Sequence, residues 1–324
     1  MPRFRAAAAL ALSLAACGRT APAARPALHA AAPAREGRLA VDGGHIWYRV
    51  TGTGGGTPLI LLHGGPGVSS FYLKPFEALA DERQVVRYDQ LGSGKSDPLT
   101  DTTKMTIGHF VRELDSLRAH LGYAKVHLLG HSWGTLLAVE YHRAHPDRVA
   151  SLTLESAFLD LPAWARDTRR LVGTLSDSAR GAIARAEAEH RYDTPAFEAA
   201  DREYSARYMT RHPVRADGDS IRRTMNEALY EYMQGPAEYV ITGTLRDYDA
   251  TPFLPTIRVP VLYTVGEFDE ASAATVRRFA RLTPGARFVM FPGAAHLTPW
   301  DAREQNVATV RAFLRSADRA KPRR

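Results

Sequence analysis

The sequence predicts an α/β chain: a mostly parallel central sheet with helices on both faces and an inserted helical cap. Three observations carry this. Short apolar strands alternate with amphipathic helices through residues 58–154, as in a parallel sheet covered on both sides. One strand runs directly into Gly130-His131-Ser132-Trp133-Gly134 and then into a helix. Residues 158–249 are polar, arginine-rich and helical in pattern, and the strand–helix alternation resumes after them.

In chain order, residues 37–52 alternate Leu39, Val41, Ile46, Tyr48 and Val50 around Asp42-Gly43-Gly44, a hairpin signal. Residues 52–57 read as a Gly/Thr loop. Residues 58–62 form an unbroken apolar strand, followed at once by His63-Gly64-Gly65-Pro66-Gly67. Residues 84–88 are a further strand. Ile107, Phe110, Val111, Leu114, Leu117 and Leu121 have helical spacing. Strands over 125–129 and 149–154 flank a helix over 135–145. Pro162, Pro195, Pro213 and Pro236 punctuate the cap. Beyond it come a strand over 259–265, a helix over 272–282, a strand over 287–291 and a last helix over 301–314, with fraying beyond Ser316. The expected division is a core of residues 37–157 and 250–317 with a cap over 158–249.

The 324 residues, 45% of them hydrophobic, suffice for one large domain with an insertion. The formal charge of +7 comes from arginines scattered along the chain, so a solvated basic surface is expected and nucleic-acid binding is not. The N-terminus is more specific. Arg3 and Arg5 precede a largely apolar stretch, residues 6–16, too short for the roughly 20 residues that span a bilayer but suited to a signal-peptide core. It ends in Leu14-Ala15-Ala16-Cys17, which resembles the bacterial lipobox. Cys17 is the single cysteine, so no intrachain disulfide can form, and lipidation is its expected use. Residues 1–17 are therefore read as a lipoprotein signal with its lipidation cysteine. Residues 18–36, rich in Ala and Pro, are read as a flexible tether. The location implied is the bacterial cell envelope, periplasmic or outer-membrane, with plain secretion to the periplasm as the alternative.

Strand, Gly-x-Ser-x-Gly, helix is the nucleophile-elbow pattern. Its glycines let strand and helix approach closely while the serine oxygen stays exposed. A serine hydroxyl needs a base, and the base needs an orienting carboxylate. In this fold they follow in the order Ser, Asp, His. Asp269 stands just after a late strand, in Gly266-Glu267-Phe268-Asp269-Glu270. His296 lies beyond the last strand and is the last of 12 histidines. Asp247 and Asp249 are rival acids but precede the strand. The oxyanion needs backbone N–H donors, from Trp133 after the nucleophile and from the His63–Gly67 loop, with Gly65 preferred over Gly64. His63 is read as fixing that loop. Gly92-Ser93-Gly94-Lys95-Ser96 imitates the end of a phosphate-binding loop, but Asp89 stands where that loop needs glycine. No His-Glu-x-x-His and no cysteine pair argues for a metal, and no cofactor is implied.

Several segments together resemble the proline iminopeptidase (prolyl aminopeptidase) family of α/β-hydrolases. They are the His63–Gly67 run, Asp89-Gln90-Leu91-Gly92-Ser93-Gly94-Lys95-Ser96, the elbow, Gly235-Pro236-Ala237-Glu238-Tyr239, Ile241-Thr242-Gly243-Thr244-Leu245, Gly266-Glu267-Phe268-Asp269-Glu270 and His296-Leu297-Thr298. The resemblance is strongest to the branch containing the tricorn-interacting aminopeptidase. It implies an α/β-hydrolase fold and release of one N-terminal residue, often proline, from short peptides. It also implies two glutamates that hold the free amine, matching Glu238 and Glu270. Phe71, Tyr72, Trp133, Tyr204, Tyr208 and Tyr232 are candidates for the side-chain pocket. The lipoprotein-like N-terminus departs from many cytoplasmic relatives. An esterase, lactonase or amidase on the same scaffold is the alternative, and a non-catalytic envelope lipoprotein a more distant one. Epoxide and haloalkane hydrolases would carry aspartate in place of Ser132.

Overall fold

The computed structural model describes residues 33–212 and 225–319. The signal, Cys17 and most of the expected tether lie outside them. Strand β1 (Ala34–Val41) turns through Asp42-Gly43 into β2 (Gly44–Leu62), antiparallel and in register from Ala34↔Thr51 to Val41↔Gly44. The tether thus ends earlier than expected, because Ala34, Arg35 and Glu36 already pair with Thr51, Val50 and Arg49.

Residues 52–57 are also not a loop. They continue β2, which bends there through a series of register irregularities and meets β3 (Arg83–Asp89) with both its halves. Glycine permits the bend: a Cβ on Gly54 would stand 2.3 Å from the Glu82 carbonyl carbon.

Four parallel strands follow across the sheet. They are β4 (Val126–His131), β5 (Val149–Glu155), β6 (Val261–Gly266) and β7 (Arg287–Phe291), each beside the one before, with the end of β2 along β4. Helices α1 (Ile107–His120) and α2 (Trp133–Ala144) lie between the strands as crossovers. Among the described residues, four helices separate β5 from β6: α3 (Leu161–Val172), α4 (Asp177–Glu189), α5 (Pro195–Tyr208) and α6 (Glu227–Met233). Side-chain caps start them at Asp160, Ser176, Thr194 and Asn226. Helix α7 (Ala273–Leu282) links β6 to β7. The short α8 (Thr298–Asp301) and α9 (Arg303–Arg319) close the chain.

Three apolar clusters follow from this layering. One packs α1, α2 and α7 on one sheet face, around Leu114, Trp133, Leu137 and Phe279. A second packs α9 and the 3₁₀ segment Ser70–Leu79 on the other, around Phe76, Leu129 and Phe313. The third belongs to the inserted helices, around Ile183, Phe197 and Tyr204. The helix does not end at Ser316: α9 runs to Arg319, the last described residue. The Asp318 carboxylate accepts from His127 Nε2 and Arg83, each at 2.9 Å, joining the helix end to the sheet.

Candidate active site

The sheet delivers Ser132 at the junction of β4 and α2, with φ 53° and ψ −124°. Such a backbone costs a non-glycine residue about 1–3 kcal/mol. The neighbours enforce it. A Cβ on Gly130 would lie 2.2 Å from Gly134 O, and one on Gly134 would lie 2.1 Å from Leu62 O. Strand, turn and helix therefore close only with glycine at both places. Ser132 N–H is anchored to Glu155 O at 3.0 Å. Its side chain faces the turn that follows β2, 3.1 Å from where a Gly64 Cβ would stand.

Asp269 and His296, far apart in the chain, come together beside this turn. His296 Nδ1–H donates to Asp269 Oδ1 at 2.7 Å, and both side chains are buried. Asp269 also accepts from Ala271 N–H at 2.8 Å, Gly266 N–H at 3.2 Å and the Ser156 hydroxyl at 2.6 Å. Ser156, itself at φ 51°, is a functional residue that the sequence reading missed. Its only signal is its place directly after β5. The carbonyl of His296 accepts from His131 Nε2–H at 2.9 Å, and the two rings meet edge-on with centroids 4.7 Å apart. The imidazole is thus held beside the elbow by the residue that precedes Ser132.

The loop after β2 is fixed by a second network. Gly64 N–H donates to the Tyr72 hydroxyl at 2.6 Å, which donates to His131 Nδ1 at 3.0 Å. Burial pushes His131 down to about 3, so the ring is neutral and its Nδ1 is a free acceptor. Gly64 N–H is so engaged, whereas no partner is found for Gly65 N–H among the described residues. Its orientation follows from His63. The Nδ1–H of that ring donates to Gly64 O at 2.9 Å, on the same peptide plane as Gly65 N–H. His63 Nε2 accepts Gln90 N–H at 2.9 Å, and burial holds the ring neutral. The Gln90 side chain then spans both sides, donating to His63 O at 3.2 Å and accepting Trp133 Nε1–H at 2.9 Å. Gln90 was also missed; its signal lay in the run after β3. Trp133 N–H opens α2 and has no intrahelical acceptor, as at any helix start.

The two glutamates sit between the inserted helices and the triad-like pair. Glu270 is wholly buried and neither of its oxygens has a hydrogen-bond partner. Its Oε1 stands 3.7 Å from His296 Nε2. Burial raises its carboxyl well above the usual range, and the neighbouring Glu238 and Asp269 charges add to that. Glu238 is raised chiefly by burial too, while His296 and its hydrogen-bonding neighbours pull the other way. Gln234 Nε2 donates to Glu238 Oε2 at 3.0 Å. The hydroxyls of Tyr204 and Tyr230 face Glu270 and Glu238 without closing a full hydrogen bond. The result is an acidic chamber in which Glu270 is wholly and Glu238 partly buried, with no lysine or arginine bridged to either carboxyl among the described residues.

Of the aromatic pocket candidates, Tyr204 lines this chamber. Trp133 does not, because its indole is buried in the core against Phe110 and bonded to Gln90. Tyr72 is committed to Gly64 and His131. Tyr208 pairs with Thr174, Tyr232 is exposed, and Phe71 lies under Lys74 at the surface. The aromatic that the sequence reading missed is Trp164 of α3. Its ring lies edge-on to His296 at 5.9 Å, and its Nε1–H donates to Glu238 O at 2.9 Å. Among the described residues no group of His, Cys, Asp and Glu is arranged to hold a metal ion.

Comparisons with known proteins agree with this architecture. The model of the alpha/beta hydrolase fold family matches residues 57–302. A proline iminopeptidase of Heyndrickxia coagulans is 37% identical over 284 residues, covering 87% of this chain and 99% of that protein. Another, of Saccharolobus solfataricus, is 32% identical over 86% of this chain and 92% of its own length. The crystal structure of a Mycobacterium smegmatis proline iminopeptidase superposes with a TM-score of 0.80 at 32% identity, covering 88% of this chain and 99% of the other. With the elbow and the Asp269–His296 pair in place on that fold, the chain belongs to the proline iminopeptidase family of α/β-hydrolases.

Proposed function

We propose that this protein is a serine aminopeptidase that releases an N-terminal residue, proline favoured, from short peptides. The observation that carries it is the chamber of Glu238 and Glu270 beside His296: two carboxyls raised chiefly by burial, to which no lysine or arginine is bridged among the described residues. A substrate ammonium supplies a cation and lets both ionise. A peptide bound by its free amine then offers only its first carbonyl to Ser132, which sets the cut at one residue.

In the mechanism, Ser132 Oγ attacks that carbonyl carbon while His296 Nε2 takes the hydroxyl proton. Asp269 holds Nδ1–H and balances the imidazolium. The carbonyl electrons move to oxygen, where Gly65 and Trp133 N–H groups receive them; each such donor is worth about 2.7–4 kcal/mol of barrier. Collapse breaks the C–N bond, and His296 hands its proton to the leaving amine. Water, deprotonated by His296, then cleaves the acyl-enzyme and restores Ser132. Trp164 is placed to wall the amine chamber.

The deciding experiment compares free-amine and N-blocked chromogenic amides of proline and other residues. Turnover of the free forms alone is expected. Equal turnover of blocked and free substrates would leave an esterase or amidase on the same scaffold. Membership of the tricorn-interacting branch is a finer part of the proposal, supported by the Gly235–Tyr239 and Ile241–Leu245 runs. A panel of free-amine amides differing in the first residue, set beside that branch, tests it.

We also propose that Cys17 carries a lipid that anchors the protein in the bacterial envelope. The support is the Leu14-Ala15-Ala16-Cys17 run after a basic start. Among the described residues no helix is long and apolar enough to cross a membrane. Incorporation of labelled lipid that persists in Cys17→Ala would defeat the anchor.

A further inference from the structure

Asp301 takes no part in the mechanism above, yet its carboxylate is wholly buried at the end of α8. Donors converge on it from two places. Ala295 N–H, in the loop that carries His296, reaches Oδ2 at 2.9 Å. Arg211 N–H, in the segment leaving α5, reaches the same oxygen at 2.9 Å. Oδ1 takes the Thr210 hydroxyl at 3.0 Å and His212 Nδ1 at 3.1 Å. The Thr210 oxygen also lies 3.1 Å from His212 O, but its single proton favours the carboxylate, the stronger acceptor.

The same two segments join again one step inward. His296 N–H donates to Tyr208 O at 3.0 Å and Leu297 N–H to Met209 O at 2.8 Å. The Arg211 guanidinium lies over the Phe268 ring, 4.1 Å from its centroid and one residue from Asp269. His296 is therefore held on its carbonyl side by His131, from the core, and on its N–H side by the inserted helices. The helix that ends at Tyr208 also carries Tyr204, which faces Glu270.

We propose that Asp301 is a positioning residue that clasps residues 208–212 to the His296 loop, so that docking of the inserted helices and placement of the base are one event. A buried carboxylate is retained only where strong hydrogen bonds offset its desolvation, and here those bonds join the two segments that meet at His296. The inference rests on the reading of His296 as the base.

The test uses the full chain with Asp301→Asn, which keeps the shape and puts an NH₂ among donors. On a free-amine prolyl amide, kcat should fall on the order of 10- to 100-fold, the scale expected for a misplaced catalytic group. KM should change by less than kcat, because Glu238 keeps its contacts to Gln234 and Trp164 and only Tyr204 of the chamber lies on the clasped helix. A small amine-free ester should lose kcat in parallel, since His296 serves both substrates. The downfield proton resonance of His296 Nδ1–H should shift. Thr210→Val, which removes one bond at a partly exposed position, should lower kcat in the same sense by about two- to fivefold. It decides the matter if Asp301→Asn does not fold. Folded Asp301→Asn with kcat within twofold of the parent, a change in KM alone, or an unaffected Thr210→Val would each overturn the clasp. His296→Ala separates the two readings. If it abolishes turnover while Asp301→Asn does not, the clasp alone fails; if it retains turnover, the base assignment fails and takes the clasp with it.

Discussion

Replacing Ser132 by glycine and by alanine should separate the strain of the elbow from its chemistry. Both variants lose the hydroxyl, so both should be inactive. They differ in the Cβ, which serine and alanine alike must carry at φ 53° and ψ −124°. Relief of that strain is worth about 1–3 kcal/mol. Glycine's greater freedom in the unfolded chain takes back about 0.5–1 kcal/mol. The balance leaves Ser132→Gly more stable than Ser132→Ala by about 1 kcal/mol, or about 2 °C in unfolding temperature. Calorimetry on the two inactive proteins reads this difference directly. The contacts at Gly130 and Gly134 are the same in both, so nothing else in the elbow changes. If Ser132→Gly proves equal to or less stable than Ser132→Ala, the elbow stores no strain at Ser132.

Gly134→Ala should be among the most damaging small substitutions, because its methyl would meet Leu62 O at 2.1 Å and His63 O at 2.9 Å. A loss of about 3 kcal/mol or more is expected from the denaturation midpoint; a neutral result would mean that β2 and α2 can separate. Gln90→Leu should orphan the buried Trp133 indole N–H, costing about 1–3 kcal/mol of stability. It should also lower kcat more than it raises KM, since it loosens the loop that carries Gly65; a purely structural role would leave kcat of the folded protein intact. Glu113 and Glu155 are buried carboxyls pushed by burial up to about 8 from an ordinary 4.5. Between those values the folded state binds more protons than the unfolded chain, so stability falls as pH rises through that window. Glu113→Gln should flatten that decline in denaturation curves taken between about pH 5 and pH 8; an unchanged slope would mean the buried carboxyl is already ionised near pH 5. Glu238→Gln should weaken turnover of free-amine peptides while sparing a small amine-free ester, and equal losses on both would assign Glu238 a structural role.

Local pattern made much of the molecule legible. Strand β7 falls on residues 287–291 as its apolar run required, α1 begins at Ile107, the first residue of its helical spacing, and α7 starts one residue later than expected. Gly130-His131-Ser132-Trp133-Gly134 announced the turn because the requirement for glycine there is steric and local. Asp269 and His296 could be nominated because an α/β sheet brings the ends of its strands to one edge. The family followed from segments spread over the whole folded chain.

Other features depend on what approaches from elsewhere, and no local pattern contains that. Residues 52–57 look like a loop and are strand, because Glu82 and Arg83 pack where side chains would otherwise stand. The preference for Gly65 over Gly64 acquires a physical reason only from a tyrosine hydroxyl eight residues on, which occupies Gly64 N–H. Trp133 lost its place in the pocket to Gln90 and Phe110, and Trp164 from an inserted helix took a wall beside His296. Asp301 carries no signature in one dimension and Ser156 only its place after β5, since each acts through partners that folding places against it. The sequence by itself determined the elbow, the order of the reactive residues and the identity of the scaffold, all of which follow from short-range sterics and strand order. Which backbone donor is open, which aromatics surround the base and what holds the base in place were decided by tertiary structure, because those are properties of hydrogen bonds and contacts between segments far apart in the chain.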